Sequence, residues 1–133
     1  MPLSLTAANN VIARAHAKAQ GLGIKVTVAI VDEGGHLVAL SRMDGAMPLS
    51  PQLAEAKAVG AAMFMRDGEA LAKMAQDRPS FFSAADRLVR VPLIPGLGSA
   101  LISQDGTVIG AVGVSGGRPD QDLECAQAGL SEP

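Results

Sequence analysis

Apolar positions recur along this chain with two different periods. In the first twenty residues Ala8, Val11, Ile12, Ala15 and Ala19 fall three or four apart, which places them on one face of a helix expected over about Ala7 to Gln20. Ser4 and Thr6 precede it as capping hydroxyls, and Gly21 with Gly23 supplies the stop. From Lys25 to Asp32 the run turns apolar and β-branched. Glu33-Gly34-Gly35 reverses it into a second run from His36 to Arg42, and a hairpin is expected.

Ser50 stands before Pro51, a cap residue ahead of a proline at the first helical position, and about fifteen residues rich in Ala, Leu, Met and Lys follow. A second helix is expected there, packing through Leu53, Ala56, Val59, Gly60 and Met63. Asp67-Gly68 breaks it before a short helix near Glu69 to Gln76, which Arg78-Pro79 ends. From Ser80 to Pro95 the periodicity is poor and Pro92 and Pro95 interrupt it, so this stretch reads as loop with at most one helical turn and an edge strand. Ser99 to Ser103 and Thr107 to Val114 are two further runs joined by Gln104-Asp105-Gly106, a hairpin signal, and a last helix is expected over about Pro119 to Ala128.

Two hairpins separated by helices argue for one antiparallel sheet, because each pair of parallel strands would need a crossover between them. The expectation is an α+β fold with a central antiparallel sheet of four or five strands and helices packed on it, formed as a single domain over residues 1–133.

Composition narrows the function classes. The chain is 48% hydrophobic and only 18% charged, outside the range of disordered chains. Eleven basic against thirteen acidic residues leave a net charge of −2, the basic residues are scattered, and aromatics are nearly absent, so no nucleic-acid footprint exists. So little charge also favours self-association, and a homo-oligomer is expected. No apolar run approaches the roughly 20 residues a membrane span needs. The N-terminus lacks the basic-then-apolar order of a signal peptide, so a cytoplasmic protein is expected. The single Cys125 agrees with a reducing compartment.

The polar residues set among glycines or apolar runs are the candidates for chemistry. Gly113-Val114-Ser115-Gly116-Gly117 matches G-x-S-x-G, but the nucleophile of such a hydrolase is followed along the chain by its histidine, and both His16 and His36 precede Ser115. The glycines are backbone devices, for one of two purposes: the Ser115, Gly116 and Gly117 amides hold a carboxylate or phosphate at the helix start, or they form a tight strand-to-helix turn. Gly96-x-Gly98 lacks a third glycine, and no P-loop occurs. Two histidines twenty residues apart and one distant cysteine make no metal cluster, and without Cys-x-x-Cys-His any haem has to bind non-covalently. His16 beside the apolar stripe is either an axial haem ligand or a partly solvated helix residue, and His36 after the hairpin turn is either exposed or an acid-base group. Cys125 and the methionines are softer iron candidates that fit buried packing better. Asp32, Arg42, Asp44, Lys57 and Asp122 all need partners. Asp32 and Asp44 are read as structural, Arg42 and Lys57 as ligand contacts, with Asp122 beside them.

Val31-Asp-Glu-Gly-Gly-His-Leu37, Ser41-Arg-Met-Asp-Gly-Ala46, Lys57-Ala58, Pro95-Gly96, and Val108-Ile-Gly-Ala-Val-Gly-Val-Ser-Gly-Gly117 with Asp120-Gln-Asp122 and Cys125-Ala126 together resemble the GlcG/HbpS-like family, also called the haem-degrading or DUF336 family. The resemblance covers most of the chain. It implies a profilin-like α/β/α domain, assembly into dimers or larger rings, and a pocket for haem or another small molecule near subunit contacts. Members of that family occur beside catabolic operons and fused to cobalamin adenosyltransferases. One loop departs from the pattern: where the family usually reads Pro-Gly-Gly-Val-Pro-Ile, this chain has Pro95-Gly-Leu-Gly-Ser-Ala-Leu101. That loop is expected to border the pocket.

The leading expectation is therefore a small-molecule-binding protein that takes haem or another flat acidic ligand on Arg42, Lys57, Asp122 and the Ser115, Gly116 and Gly117 amides, with His16 on the iron. The alternative is an isomerase, tautomerase or hydrolase of a catabolic pathway, in which Asp122, Lys57 or His36 moves protons on a small organic acid.

Overall fold

A computed structural model describes residues 2–131. Helix α1 runs Leu5–Leu22. Ser4 is its cap, accepting the Ala7 amide at 3.0 Å, and Gly23 ends it in the left-handed region at φ +74°. Its buried residues are the five that the three-and-four spacing selected. Strands β1 (Thr27–Asp32) and β2 (Leu37–Arg42) form the first hairpin. Strands β3 (Ser99–Gln104) and β4 (Thr107–Ser115) form the second, across a two-residue turn in which Asp105 (φ 52°) and Gly106 (φ 79°) both have positive φ. Two positive φ angles define the turn whose twist matches a hairpin, which is why Asp-Gly signals it.

The four strands lie antiparallel in the order β2-β1-β4-β3. Helix α1 and the last helix, α5 (Pro119–Leu130), cover one face through Val26, Val28, Ile30, Ala100, Ile102, Val112 and Val114. Helix α2 (Ser50–Phe64) covers the other, over Val31 and Ala111. The approach of α2 is unusually close because Gly113 has no side chain: a Cβ there would run into the Ala54 carbonyl and stand 2.7 Å from the Ala58 amide nitrogen. Small residues on both surfaces set that spacing. The helix is accordingly buried on most sides, through Ala54, Ala56, Ala58, Val59, Gly60, Ala61 and Ala62, while Met63, expected on the packing face, is 48% exposed.

Two local expectations are corrected. Ser50 is the first residue of α2 rather than its cap; its hydroxyl lies 2.7 Å from the Thr27 hydroxyl, so it ties the helix to β1. The stretch read as loop and edge strand holds helix α4 (Pro79–Ala85) and a 3₁₀ turn, Asp86–Leu88, and the sheet of the described residues has no fifth strand. Pro79 starts α4 with a preset φ. Phe82, Leu71, Met74 and Leu93 then form a small separate core with helix α3 (Gly68–Asp77), where Phe64 and Phe82 stack at 6.2 Å. The Asp86 carboxylate accepts the Leu93 amide, which ties the 3₁₀ turn to that core.

Candidate functional site

In an interior otherwise apolar, the buried polar side chains are Thr27, Ser50, Lys57, Ser99, Ser115 and Asp122. All gather at one end of the sheet. Thr27 is in register with Ser115 and Ser99 with Gly113, at the point where β4 finishes and β3 begins. Lys57 reaches there from α2 and donates to the Val114 carbonyl at 2.9 Å and to Asp122 Oδ2 at 3.2 Å. Asp122, in the first turn of α5, accepts the Gly117 amide on its other oxygen at 2.8 Å. The Val114 amide donates to the Gly98 carbonyl, but the chain at Gly98 turns away at φ +115°, and the Lys57 ammonium takes the Val114 carbonyl where the ladder stops. One lysine thus ties α2, the sheet end and α5 together. Burial raises the Asp122 carboxyl above its ordinary value, against the opposing pull of the Gly117 amide and the Lys57 charge. Ser99 Oγ, beside Gly68, is a buried polar atom with no partner among the described residues.

This arrangement decides between the two purposes proposed for the glycine pair. Ser115 belongs to β4, the Gly117 amide is held by Asp122, and Gly116, at φ +146°, is pressed against the Lys25 carbonyl, where any Cβ would collide. Ser115, Gly116 and Gly117 make a strand-to-helix turn whose amides serve the fold. Lys57 and Asp122 face each other inside the protein, with side chains 11% and 4% exposed. The Pro95–Leu101 loop covers this ion pair through Gly98.

Of the sequence candidates, His16 and Arg42 come together, at the opposite edge of the sheet. A groove of about 380 Å³ is lined by His16 and Gln20 of α1, by Lys25, and by Ser41, Arg42, Met43 and Asp44 at the end of β2. Because β2 and β3 are the two edges of a four-stranded sheet, three inter-strand steps of about 4.8 Å separate them, roughly 14 Å. The altered loop therefore does not border this groove. His16 Nε2 lies 3.1 Å from the Ser41 carbonyl oxygen. Arg42 donates one N–H to the Ala46 carbonyl at 2.8 Å, closing its own loop, and Met43 sulfur accepts the Val26 amide at 3.4 Å. An imidazole, two exposed cations and one carboxylate, Asp44, share the groove. Lys25 was missed by sequence reasoning; its signal is that His16 and Gln20 lie one helical turn apart and Lys25 follows the Gly23 stop, so all three leave the same end of α1.

The other candidates lie elsewhere. His36 is exposed at the β1–β2 turn, 3.1 Å from Asp32 Oδ1, which also accepts the Gly34 and His36 amides at 2.9 Å each. Burial raises the Asp32 carboxyl, but those two amides and the His36 ring outweigh it and leave the group below its ordinary value. Asp32 and Thr27 end β1, about 16 Å apart at 3.3 Å per residue, so His36 does not converge with Lys57 and Asp122. Cys125 is fully buried, its thiol pushed up to about 11 by burial first and by Asp122 and Glu124. No group of three or more His, Cys, Asp or Glu that could hold a metal ion occurs among the described residues, and no helix among them is long and apolar enough to cross a membrane.

Residues 3–131 match the family described as haem degrading protein HbpS-like. The chain belongs to the HbpS-like family. Protein GlcG of Escherichia coli (strain K12) is 37% identical over 114 residues, covering 85% of this HbpS-like chain and 81% of GlcG. Among solved structures, PduOC in complex with haem superposes with a TM-score of 0.87 at 28% identity, covering 98% of this chain and 94% of that one. HbpS superposes equally well, at 29% identity over 97% and 88% of the two chains. The HbpS-like fold, a four-stranded antiparallel sheet with helices on both faces, is the one expected from the α+β pattern.

Proposed function

We propose that this protein binds haem, or another flat acidic ligand, non-covalently in the groove at the α1 and β2 edge. The observation that carries the reading is the convergence of His16, Lys25 and Arg42 on one groove, together with the likeness to a chain solved as a haem complex. Haem needs a Lewis base for its iron and cations for its carboxylates; an imidazole, an ammonium and a guanidinium line the groove and match those polar needs only. Bound there, haem would supply a redox-active, strongly absorbing iron centre. His16 would hold the iron, while Lys25 and Arg42 would hold the acidic edge.

The groove is lined mainly by polar groups, whereas a porphyrin face needs apolar walls. The reading therefore includes a homo-oligomer, in which a second copy brings apolar surface over the groove and the ligand sits near the subunit interface. A cytoplasmic location is part of the same proposal.

Hemin titration tests it. A saturable Soret band is expected, shifted in His16→Ala and needing at least tenfold more hemin to saturate in a Lys25→Ala, Arg42→Ala double variant. A wild-type titration that never saturates rejects the proposal.

A second reading, an enzyme of a catabolic pathway acting on a small organic acid, rests on the buried Lys57 and Asp122, a carboxyl with a raised pKa beside an ammonium. Turnover of such an acid that disappears in Lys57→Met and persists in His16→Ala would favour it.

A further inference from the structure

The chain has three aromatic residues, and all three gather where α2 ends against α4. Phe82 is buried in the small core, Phe64 stacks on it, and Phe81 meets Phe64 edge-on at 6.4 Å while staying 42% exposed. Between them and the 3₁₀ turn runs a groove of about 330 Å³ lined by apolar side chains alone. Its floor is Phe64, Ala85 and Val89, which rest on the small core, and its exposed walls are Met63, Phe81 and Leu88. Leu88 stands 85% exposed, so the fold itself gains little from it. The groove lies on the α2 side of the sheet, whereas His16 stands on α1.

The rim of this groove is cationic, on a chain whose net charge is −2. The Arg78 guanidinium lies over the Phe81 ring at 4.1 Å, and Arg87 is exposed beside Leu88. Arg90 donates to the Gly35 carbonyl at 2.9 Å, and Gly35 sits against Met63. The neighbouring carboxylates are engaged: Glu55 pairs with Arg90 at 2.7 Å, Asp77 with Lys73 at 2.9 Å, and Asp86 accepts the Leu93 amide. Arg78 and Arg87 form no ion pair among the described residues. We propose that this groove docks an acidic amphipathic helix of another protein, with the apolar stripe of that helix between Phe81 and Leu88 and its carboxylates on Arg78 and Arg87. An apolar groove takes such a helix through side chains at helical spacing, and the charges around it select the partner. A second copy turned about a twofold axis would use the same patch on both subunits and press one cationic rim on another, which repels. A lipid surface can meet Leu88 but not the recessed floor at Phe64 and Val89, which a side chain of a docked helix can reach.

Panning a random peptide display library on the whole protein, after depletion on Leu88→Asp, tests this. Leu88 is so exposed that the variant is expected to melt with the wild type. Enriched sequences should carry net negative charge and apolar residues at helical spacing. A synthetic peptide of an enriched sequence should bind at least tenfold more weakly to Leu88→Asp and to an Arg78→Glu, Arg87→Glu double variant. The double variant changes two exposed side chains and carries the comparison by itself if Leu88→Asp melts early. No enrichment over the depleted pool, or enrichment of cationic or uncharged sequences, overturns the proposal. So does binding to phosphatidylserine vesicles that Leu88→Asp abolishes while no peptide is enriched, which would assign the face to a membrane. Sedimentation that shows a wild-type dimer falling to monomer in Leu88→Asp would assign it to a second copy and overturn the proposal as well.

Discussion

Gly98 stands against Lys57: a Cβ built on it would lie 2.9 Å from the ammonium nitrogen, 2.8 Å from the Val114 carbonyl oxygen and 3.0 Å from the Asp122 Cβ. Its φ of +115° is one that side chains avoid. Gly98→Ala therefore combines backbone strain with crowding of the one lysine that joins α2 to the sheet end. A loss of about 2 to 4 kcal/mol is expected from the two effects together. Equilibrium urea unfolding measures it; a variant within about 0.5 kcal/mol of wild type, the size of a neutral surface change, would show that the loop repacks freely.

The ion pair beneath that loop has a stability consequence of its own. Burial outweighs the Lys57 charge in setting the Asp122 carboxyl, so the pair gains little over an apolar replacement, yet each partner leaves a buried charge when the other is removed. Lys57→Met also strips the Val114 carbonyl of its donor, and Asp122→Leu strips the Gly117 amide of its acceptor. Each single change is expected to cost about 3 to 5 kcal/mol, and the double variant clearly less than their sum. Strict additivity in a double-mutant cycle would mean that the two side chains act independently.

How far this was legible in the sequence depends on how local each determinant is. The α1 stripe, Gly23 and the Asp105-Gly106 turn act within one or two turns of chain, and they stand where periodicity put them. Ser50 looks like a cap because its neighbour is Pro51, but its hydroxyl is claimed by Thr27, twenty-three residues away. Helix α4 is seven residues long, too short for a 3.6-residue period to stand out, and it is stabilised by packing on α3. Of the polar residues marked as needing partners, Asp32, Arg42, Lys57 and Asp122 have them, whereas Asp44 is exposed. Whether Lys57 turns inward or outward is set by the Val114 carbonyl at a sheet end, a partner fifty-seven positions along the chain. Lys25 was hidden for the opposite reason: an exposed lysine after a helix stop breaks no rule.

Cys125 offers a check on the α1 and α5 layer. The thiol is fully buried and its pKa is pushed up to about 11, so thiolate is scarce near neutral pH and reagents cannot reach it. Labelling by a thiol reagent at pH 8 is expected only at the rate at which the fold opens, and at full speed in denaturant. Stoichiometric labelling of the folded protein within seconds would mean that α5 is not seated as described.

Asp32 makes the first hairpin sensitive to acid. Its carboxylate accepts the Gly34 and His36 amides, and its pKa in the folded chain lies below the ordinary value despite partial burial. A lowered carboxyl pKa means that the unfolded chain binds the proton more readily, so the stabilisation is present above the unfolded-state value and is lost as pH falls through the folded-state one. Asp32→Ala is expected to cost about 1 to 2 kcal/mol at pH 7, the range for losing a side-chain acceptor of two backbone amides. As pH falls through the folded-state value the wild-type carboxylate is protonated and its advantage shrinks, so the two unfolding curves should converge. Thermal unfolding of both proteins between pH 7 and pH 2 reads the difference directly. A gap that stays constant across that interval would assign the effect of the substitution to packing, with no part for the carboxylate charge.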